Sequence, residues 1–380
     1  GKLPNLADES KQASSSQKNK IVPGKNGNAL QLTGDDGVNL GIGNFKRTAP
    51  FSVALWMSTP HHKERTVVFS RSRAWTDAGS RGYQILLRDG HLSASLIHFW
   101  PGNAISVRTK AKLPKDEWHH VAITYDGSTK AGGLEIYVDG KLVETEIHKD
   151  NLYKNITGGG GDTIVIGQRF RDVGFAGGLV DDFRVFKREL TGGEVAQVYD
   201  GESLAKLLAK PTDALGQAER DTLREYFLAT ANKSHDAQLA KLRASRESVT
   251  KLLDGKGEIM VMEEMPLNPR STFVLKRGVY SAPGERVGAA TPRSLSPFPK
   301  GAPSNRLGLA KWLVDPKNPL AARVAVNHFW QLCFGQGLVR TPEDFGTQGK
   351  RPTHPGLLDW LAKDFIDHGW NVKRLLKQIV

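Results

Sequence analysis

Two neighbouring stretches, WHHVAITYDGS (118–128) and LEIYVDGKLV (134–143), decide the reading of the fold. In the second, the run from Leu134 to Val138 meets the run from Lys141 to Val143 through Asp139-Gly140, a tight hairpin signal. The first ends its apolar run, Val121 to Tyr125, on Asp126-Gly127 in the same manner. Upstream, Phe51, Val53, Leu55 and Met57 alternate with Ser52, Ala54, Trp56 and Ser58, which is the period of a strand with two distinct faces. YQILLR (83–88) and HLSASLI (91–97) are joined by Asp89-Gly90. Many short strands with glycine turns and no helical pattern between them predict an all-β sandwich or jelly roll.

The order of the motifs carries a resemblance. ALQLTGDDGVNLG (29–41), FSVALWMS, WHHVAITYDGS, LEIYVDGKLV, TIVIGQR (163–169) and FAGGLVDDFRVFKREL (175–190) follow one another as in the laminin G-like, concanavalin A-like jelly roll. The resemblance covers roughly residues 27–200. It implies a fold that serves lectins, adhesion modules, glycosidases and spacers alike, so it leaves the function open.

A second resemblance lies at the other end. VNHFWQLCFGQGLVRTPEDFG (326–346) followed by PTHPGLLDWLA (352–362) is similar to the C-terminal domain of a planctomycete family of unknown function, often found in one chain with c-type cytochrome domains. MVMEEMPLNPRSTFVLKRGVYSAPGERV (260–287) resembles the segment before that domain, which extends the match to 258–380. The family implies an exported, periplasmic or cell-envelope setting, with any haem or catalytic portion elsewhere in a longer protein. At the position of His328 the family more often carries Arg, so this sequence departs from it there.

Between these regions the pattern is helical. Thr191-Gly-Gly-Glu194 has capping-box spacing. Leu204, Leu207 and Leu208, then Leu223, Tyr226 and Phe227, then Leu239, Leu242, Val249 and Leu252 form stripes at spacings of three and four, predicting amphipathic helices that pack as a core or against a partner helix. Glu258–Met262 and Ser271–Leu275 read as short strands. Asn318 caps a predicted helix beginning at Pro319 and ending at Gly335, with Ala322, Val326, Phe329, Trp330 and Cys333 on its apolar face. A further helix from Pro355 buries Leu358, Leu361 and Phe365, and another begins after Asn371. The expected organisation is a polar linker (1–26), a jelly roll (27–200), a helical connector (201–257) and a mainly α-helical C-terminal domain (258–380), cut at both ends from a longer chain.

Composition narrows the chemistry. The chain has 380 residues and a net charge of +13. Its first 200 residues carry 26 basic and 22 acidic side chains and the remainder 27 and 18. That surplus favours anionic partners without choosing among them. Lys and Arg are dispersed rather than interleaved with stacking aromatics, so no nucleic-acid motif is present. No run reaches the ~18 apolar residues needed to span a bilayer. One cysteine, Cys333, excludes an internal disulfide and a Cys-x-x-Cys-His haem attachment in this stretch; on an apolar helix it predicts a buried structural thiol.

Candidate sites follow from residue type and loop position. A sugar-binding surface needs loop aromatics beside polar donors, and Trp75 and Trp100 qualify, with Arg73, Arg81 and His98 near them. Trp56 and Trp118 read as core. Asp35 and Asp36 in TGDDG, and Asp181 and Asp182 in GLVDDF, are the carboxylates that could hold a structural calcium ion, although Asp182 could instead pair with Arg184 or Arg169 and Asp36 could cap a turn. Glycosidase chemistry needs two carboxylates facing one side of a strand; Glu144 and Glu146 have the spacing but lack flanking aromatics. Gly158–Gly161 is not followed by the Lys-Ser/Thr helix of a phosphate loop, and no zinc motif occurs. The sequence therefore predicts a non-catalytic module that binds carbohydrate or an extracellular protein. An enzyme acting on anionic polysaccharide, with His328, Arg340, Glu343 and Asp344 converging, and a structural spacer remain the alternatives.

Overall fold

In the first of two compact units, residues 1–258, alternation becomes pairing as far as Phe186, and helices follow. The computed structural model describes residues 2–15, 18–74, 81–259, 261–262 and 271–380. The short early strands are β1 (Lys2–Leu3), β2 (Ala13–Ser15), β3 (Lys20–Pro23), β4 (Asn28–Gln31) and β5 (Val38–Asn39). The central ones are β6 (Phe51–Ser58), β7 (Thr66–Arg71), β8 (Gly82–Arg88), β9 (His91–Phe99), β10 (Asn103–Thr109) and β11 (His119–Tyr125). They are followed by β12 (Leu134–Val138), β13 (Lys141–Leu142), β14 (Thr145–Asn151), β15 (Val165–Ile166) and β16 (Leu179–Phe186).

Among the described residues these strands make two antiparallel sheets. One has nine strands in the order β1-β2-β5-β15-β7-β8-β9-β10-β14, the other seven in the order β13-β12-β11-β6-β16-β4-β3. The inward residues of both, including Val53, Leu55, Phe69, Ile85, Leu96, Ile105 and Ile123, form one buried core, as expected for facing sheets that alternate in and out. The predicted hairpins are present. Asp89 and Asp139 stand at φ 51° and 50° and are followed by Gly90 and Gly140 at 87° and 77°, the left-handed pair that a two-residue hairpin turn requires.

Residues 1–26 differ from the expected linker. β1 pairs β2, β2 pairs β5, and β3 pairs β4, so this polar segment supplies one edge of each sheet. Strands of two to four residues are too short to show a period, and their pairing is set by the sheets they join.

Helix α1 (Gly192–Asp200) begins with the predicted capping box, Thr191 accepting from the Glu194 amide while its own amide donates to the Glu194 carboxylate. The helix lays Val195 with Leu190 on Ala54, Ala122 and Tyr137, on the outer face of the seven-stranded sheet. Helices α2 (Ser203–Ala209), α3 (Gln217–Thr230) and α4 (Lys233–Asp254) follow. Their stripes do not form the expected core. Leu208, Phe227, Leu242, Val249 and Leu252 are exposed, and α3 buries no residue. Polar ties hold α4 instead. The buried Arg47 guanidinium donates to the Leu152 carbonyl (3.1 Å) and to the Thr250 hydroxyl. The Asp254 carboxylate accepts from the Asn155 amide (3.0 Å).

The second unit, residues 259–380, opens with a hairpin of β17 (Thr272–Leu275) and β18 (Pro283–Val287). The expected strand at 258–262 is not formed by its described members, and Met260 lies outside the described residues. Four helices follow: α5 (Arg306–Leu313), α6 (Ala321–Phe334), α7 (Pro355–Asp367) and α8 (Val372–Ile379). Their core is Val326, Leu338, Val339, Leu358, Leu361, Phe365 and Leu375. Asn318 accepts from the Leu320 and Ala321 amides, so the cap acts as predicted but α6 starts two residues later than Pro319. Gly335 ends it at φ 76°. Cys333 is exposed rather than buried, between Leu332 (78% exposed) and the exposed Phe334. The buried face of α6 runs through Ala322 and Val326, with Phe329 and Trp330 packed at its margin, and Cys333 falls outside it.

Candidate functional site

Strands β8, β9, β10 and β14 are consecutive neighbours in the nine-stranded sheet. Because side chains alternate, Ile85, Leu87, Leu92, Ala94, Leu96, Ile105 and Val107 enter the core while the intervening residues face outward. Register aligns the outward residues into rows. Gln84, Ser95, Ser106 and Lys149 stand opposite one another across four strands, and Ser93, Arg108 and Glu146 form the next row. The Ser95 hydroxyl donates to that of Ser106 at 2.8 Å. Between Ser106 and Val107 the β10–β14 register shifts by one residue, leaving His148 as an extra position on β14. This bulge brings two successive residues, His148 and Lys149, to the same cleft.

The cleft has a volume of about 180 Å3 and is lined by Arg88, Ser93, Ser95, Ser106, Arg108, His148 and Lys149, with Trp100 as its aromatic wall. Its floor is buried: Ser93, Ser95 and Ser106 are shielded from bulk solvent, as is Gln84 in the same row. The cations are poorly neutralised. Among the described residues the Arg88 guanidinium makes no hydrogen bond or ion pair. Burial, reinforced by the Arg65 and Arg108 charges, pulls it below the ordinary arginine range. Arg108 has only Glu146 near it, at 4.0 Å, and its buried Nε has no partner. His148 lies 3.9 Å from the same carboxylate, and burial followed by the Arg108 charge lowers its pKa.

The expected sugar-contact residues divide. Trp100 lines this cleft. Trp75 lies outside the described residues. Arg73 and Arg81 are exposed and sit beside the glycine loop, where a Cβ added at Gly160 or Gly159 would meet their side chains at 3.3 and 2.9 Å. His98 is half-buried, one ring nitrogen 2.6 Å from the Asn155 carbonyl, and burial lowers its pKa. Trp56 is buried beside His120 and Tyr199, with the Lys25 ammonium over its ring.

The carboxylates named for calcium are engaged separately. Asp181 accepts from the Asn26 amide (2.8 Å), Asp182 is bidentate with Arg184, and Asp36 accepts from the Thr33 hydroxyl (3.1 Å), while Asp35 stands exposed. Among the described residues no three His, Cys, Asp or Glu side chains gather at one point, so this donor set does not fit an ion that takes six to eight oxygens.

In the second unit the proposed catalytic group does not converge. His328, Arg340 and Glu343 are exposed, and Asp344 uses a carboxylate oxygen to accept from the Gly346 amide (2.7 Å). The residue of consequence there is Asn327, fully buried, whose amide donates to the Val339 carbonyl (3.0 Å) and accepts from the Val339 amide (2.7 Å).

Residues 32–196 match the family model of the concanavalin A-like lectin/glucanases superfamily, and residues 305–380 match that of a protein of unknown function, DUF1553. The chain contains a concanavalin A-like domain and, C-terminal to it, a DUF1553 domain. Both expected resemblances are thus borne out, although the DUF1553 match begins at 305 rather than 258. No curated protein matches the chain. Among solved structures the chain is similar to the binding domain of Paraclostridial mosquitocidal protein 1, at 15% identity and TM-score 0.42, over 52% of this chain and 49% of that one. It is also similar to the botulinum neurotoxin serotype G binding domain, at 16% and 0.37, over 50% and 46%. A third likeness, at 19% and 0.35 over 50% and 88%, is to domain 4 of AbnA, a GH43 extracellular arabinanase from Geobacillus stearothermophilus in complex with arabinotriose. The chain spans about half the length of the two toxin domains it matches. No described helix is long and apolar enough to cross a membrane.

Seven of the eight cleft residues escaped the sequence reading of the concanavalin A-like domain. The signal for Ser93, Ser95, Ser106 and Arg108 is alternation itself, since a polar residue at every second position of a central strand marks an open face. His148 and Lys149 carry no such signal, because a bulge interrupts the period that would place them.

Proposed function

We propose that the concanavalin A-like domain is a non-catalytic binding module for an extracellular carbohydrate, held on the outer face of the nine-stranded sheet. The observation that carries this reading is the cleft, where Trp100 lines the same space as a row of serine hydroxyls and side-chain cations. Sugar rings present an apolar face and a rim of hydroxyls, and an aromatic wall with converging polar groups complements both. On the opposite sheet, α1 occupies the part of the outer face around Ala54, Ala122 and Tyr137. Hydrolysis is disfavoured by the lining itself, which contains no carboxylate, whereas glycoside cleavage needs two. Glu144, the partner that spacing gave to Glu146, lies 3.0 Å from Lys110 and is well exposed.

The test is titration of the 380-residue chain with a panel of neutral and sulfated polysaccharides, in calcium and then in chelator. Trp100→Ala should weaken binding about tenfold or more, equivalent to ~1.4 kcal/mol, without changing the near-ultraviolet circular dichroism of the core. Binding in chelator should equal binding in calcium. Saturable binding that Trp100→Ala leaves intact would move the ligand off this cleft, and no binding to any member would leave the domain as a protein contact or spacer.

A further inference from the structure

Leaving aside Arg73, Arg81 and Arg171, which are exposed to solvent, the arginines of the concanavalin A-like domain have close side-chain partners except in the cleft. Arg65 and Arg169 share the buried carboxylate of Asp172, Arg71 meets Asp162, Arg184 meets Asp182, and Arg188 meets Glu194. Burial alone would raise Asp172, but the hydrogen bonds from its two arginines outweigh it and hold the carboxyl below the usual range. Arg47, which lacks a carboxylate contact, donates to a carbonyl and a hydroxyl, although its buried Nε has no partner. Arg88 and Arg108 stand apart from all of these, one with no partner among the described residues and the other with a single carboxylate at 4.0 Å. The Lys149 ammonium beside them makes no ion pair or hydrogen bond among the described residues.

Taking a guanidinium partly out of water is unfavourable unless an anion or acceptor replaces the lost hydration. Here the fold removes part of the water from Arg88 and supplies no side-chain hydrogen bond or ion pair in return, only the longer-range charges of Asp172 and Asp89. Resting on the reading of the cleft as a sugar site, we propose that its ligand is an anionic saccharide whose sulfate or carboxylate group seats between Arg88, Arg108 and Lys149. A planar guanidinium fork matches either oxyanion through paired hydrogen bonds. Ser93, Ser95 and Ser106 supply hydroxyls along the adjoining floor, and Trp100 closes the side where the uncharged part of the ring lies. The volume of about 180 Å3 corresponds to about six waters of ~30 Å3 each, the bulk of one sugar ring. Among the described residues, Glu146 is the carboxylate within ion-pair distance of Arg108 and His148. It is more than half exposed, and it is free to turn to solvent as the ligand's charge arrives.

The experiment compares dextran, dextran sulfate and polygalacturonate as ligands of the 380-residue chain at low and moderate salt. It uses the unaltered protein, Arg88→Gln, Arg108→Gln, Trp100→Ala, and Lys187→Gln as an exposed cation away from the cleft. One or both charged polymers should bind at least tenfold more tightly than dextran. Arg88→Gln and Arg108→Gln should each remove most of that preference, while Lys187→Gln should retain it. A preference for dextran sulfate over polygalacturonate assigns sulfate, and the reverse assigns carboxylate. Charged polymers that bind equally to all the arginine variants would overturn the proposal, since the general basic surface would then account for them. Binding of dextran as tight as that of the charged forms, still lost in Trp100→Ala, would overturn the charge while sparing the cleft. Binding of none of the three would remove the support for both.

Discussion

His120 shows how one residue reports on its surroundings. It is 2% exposed, packed edge-on to Trp56 and close to Tyr199, and one ring nitrogen has no partner. Burial pushes its pKa down to about 4, with Asp139 only partly opposing. The unfolded chain, with a histidine near its ordinary 6.5, binds more protons than the folded one between these values, so stability rises with pH across that window and is lost on acidification. Urea titrations at pH 7 and 4.5 should show the protein losing roughly 2–3 kcal/mol on this account, from ~1.4 kcal/mol per pKa unit. His120→Gln should shrink that difference, and an unchanged difference would mean that the ring charges without leaving its site. At this scale the sequence was uneven. Trp56 was legible as core because it lies in an alternating strand, whereas Cys333 was misplaced because an apolar helix end reads the same whether or not anything covers it.

At the scale of the element, the strands were readable and the helices only half so. Two-residue turns with glycine fixed the hairpins β8–β9 and β12–β13 in advance, since few other sequences adopt consecutive left-handed residues. The stripes on α2–α4 correctly gave helices but wrongly gave a core, because spacing shows which residues share a face and not what that face meets. What holds α4 is Arg47, a residue with no pattern around it. Arg47→Ala leaves the Thr250 hydroxyl and the Leu152 carbonyl without their donor, at a cost of about 2–3 kcal/mol for two buried groups. Hydrogen exchange should therefore quicken across residues 246–254 while β6 and β11 keep their protection. Uniform quickening throughout the domain would show instead that the tie supports the whole sandwich. The cleft was legible to the same extent as its elements: the alternating serines were open to view, and the cation-bearing bulge was not.

For the molecule as a whole, the decisive fact is that the cores share no residues, the sandwich being built from positions up to 180 and the helical one from 326 onward. Each should therefore melt on its own terms. Asn327→Ala, which strips both hydrogen bonds from the Val339 peptide, should lower one calorimetric transition by several degrees, for a loss of about 2–3 kcal/mol, and leave the other in place. A single transition that moves as one would show the two cores to be coupled. A last consequence concerns molecules meeting one another. Strand β14 ends the nine-stranded sheet, seven residues long with Ile147 60% exposed, and an open margin of this length invites a neighbouring chain to add its own strand. The supernumerary His148 interrupts that invitation midway, since an incoming strand would lose step after three or four residues. On the proposed reading, one inserted histidine both gathers charge for a ligand and breaks the edge at which a neighbouring strand could pair.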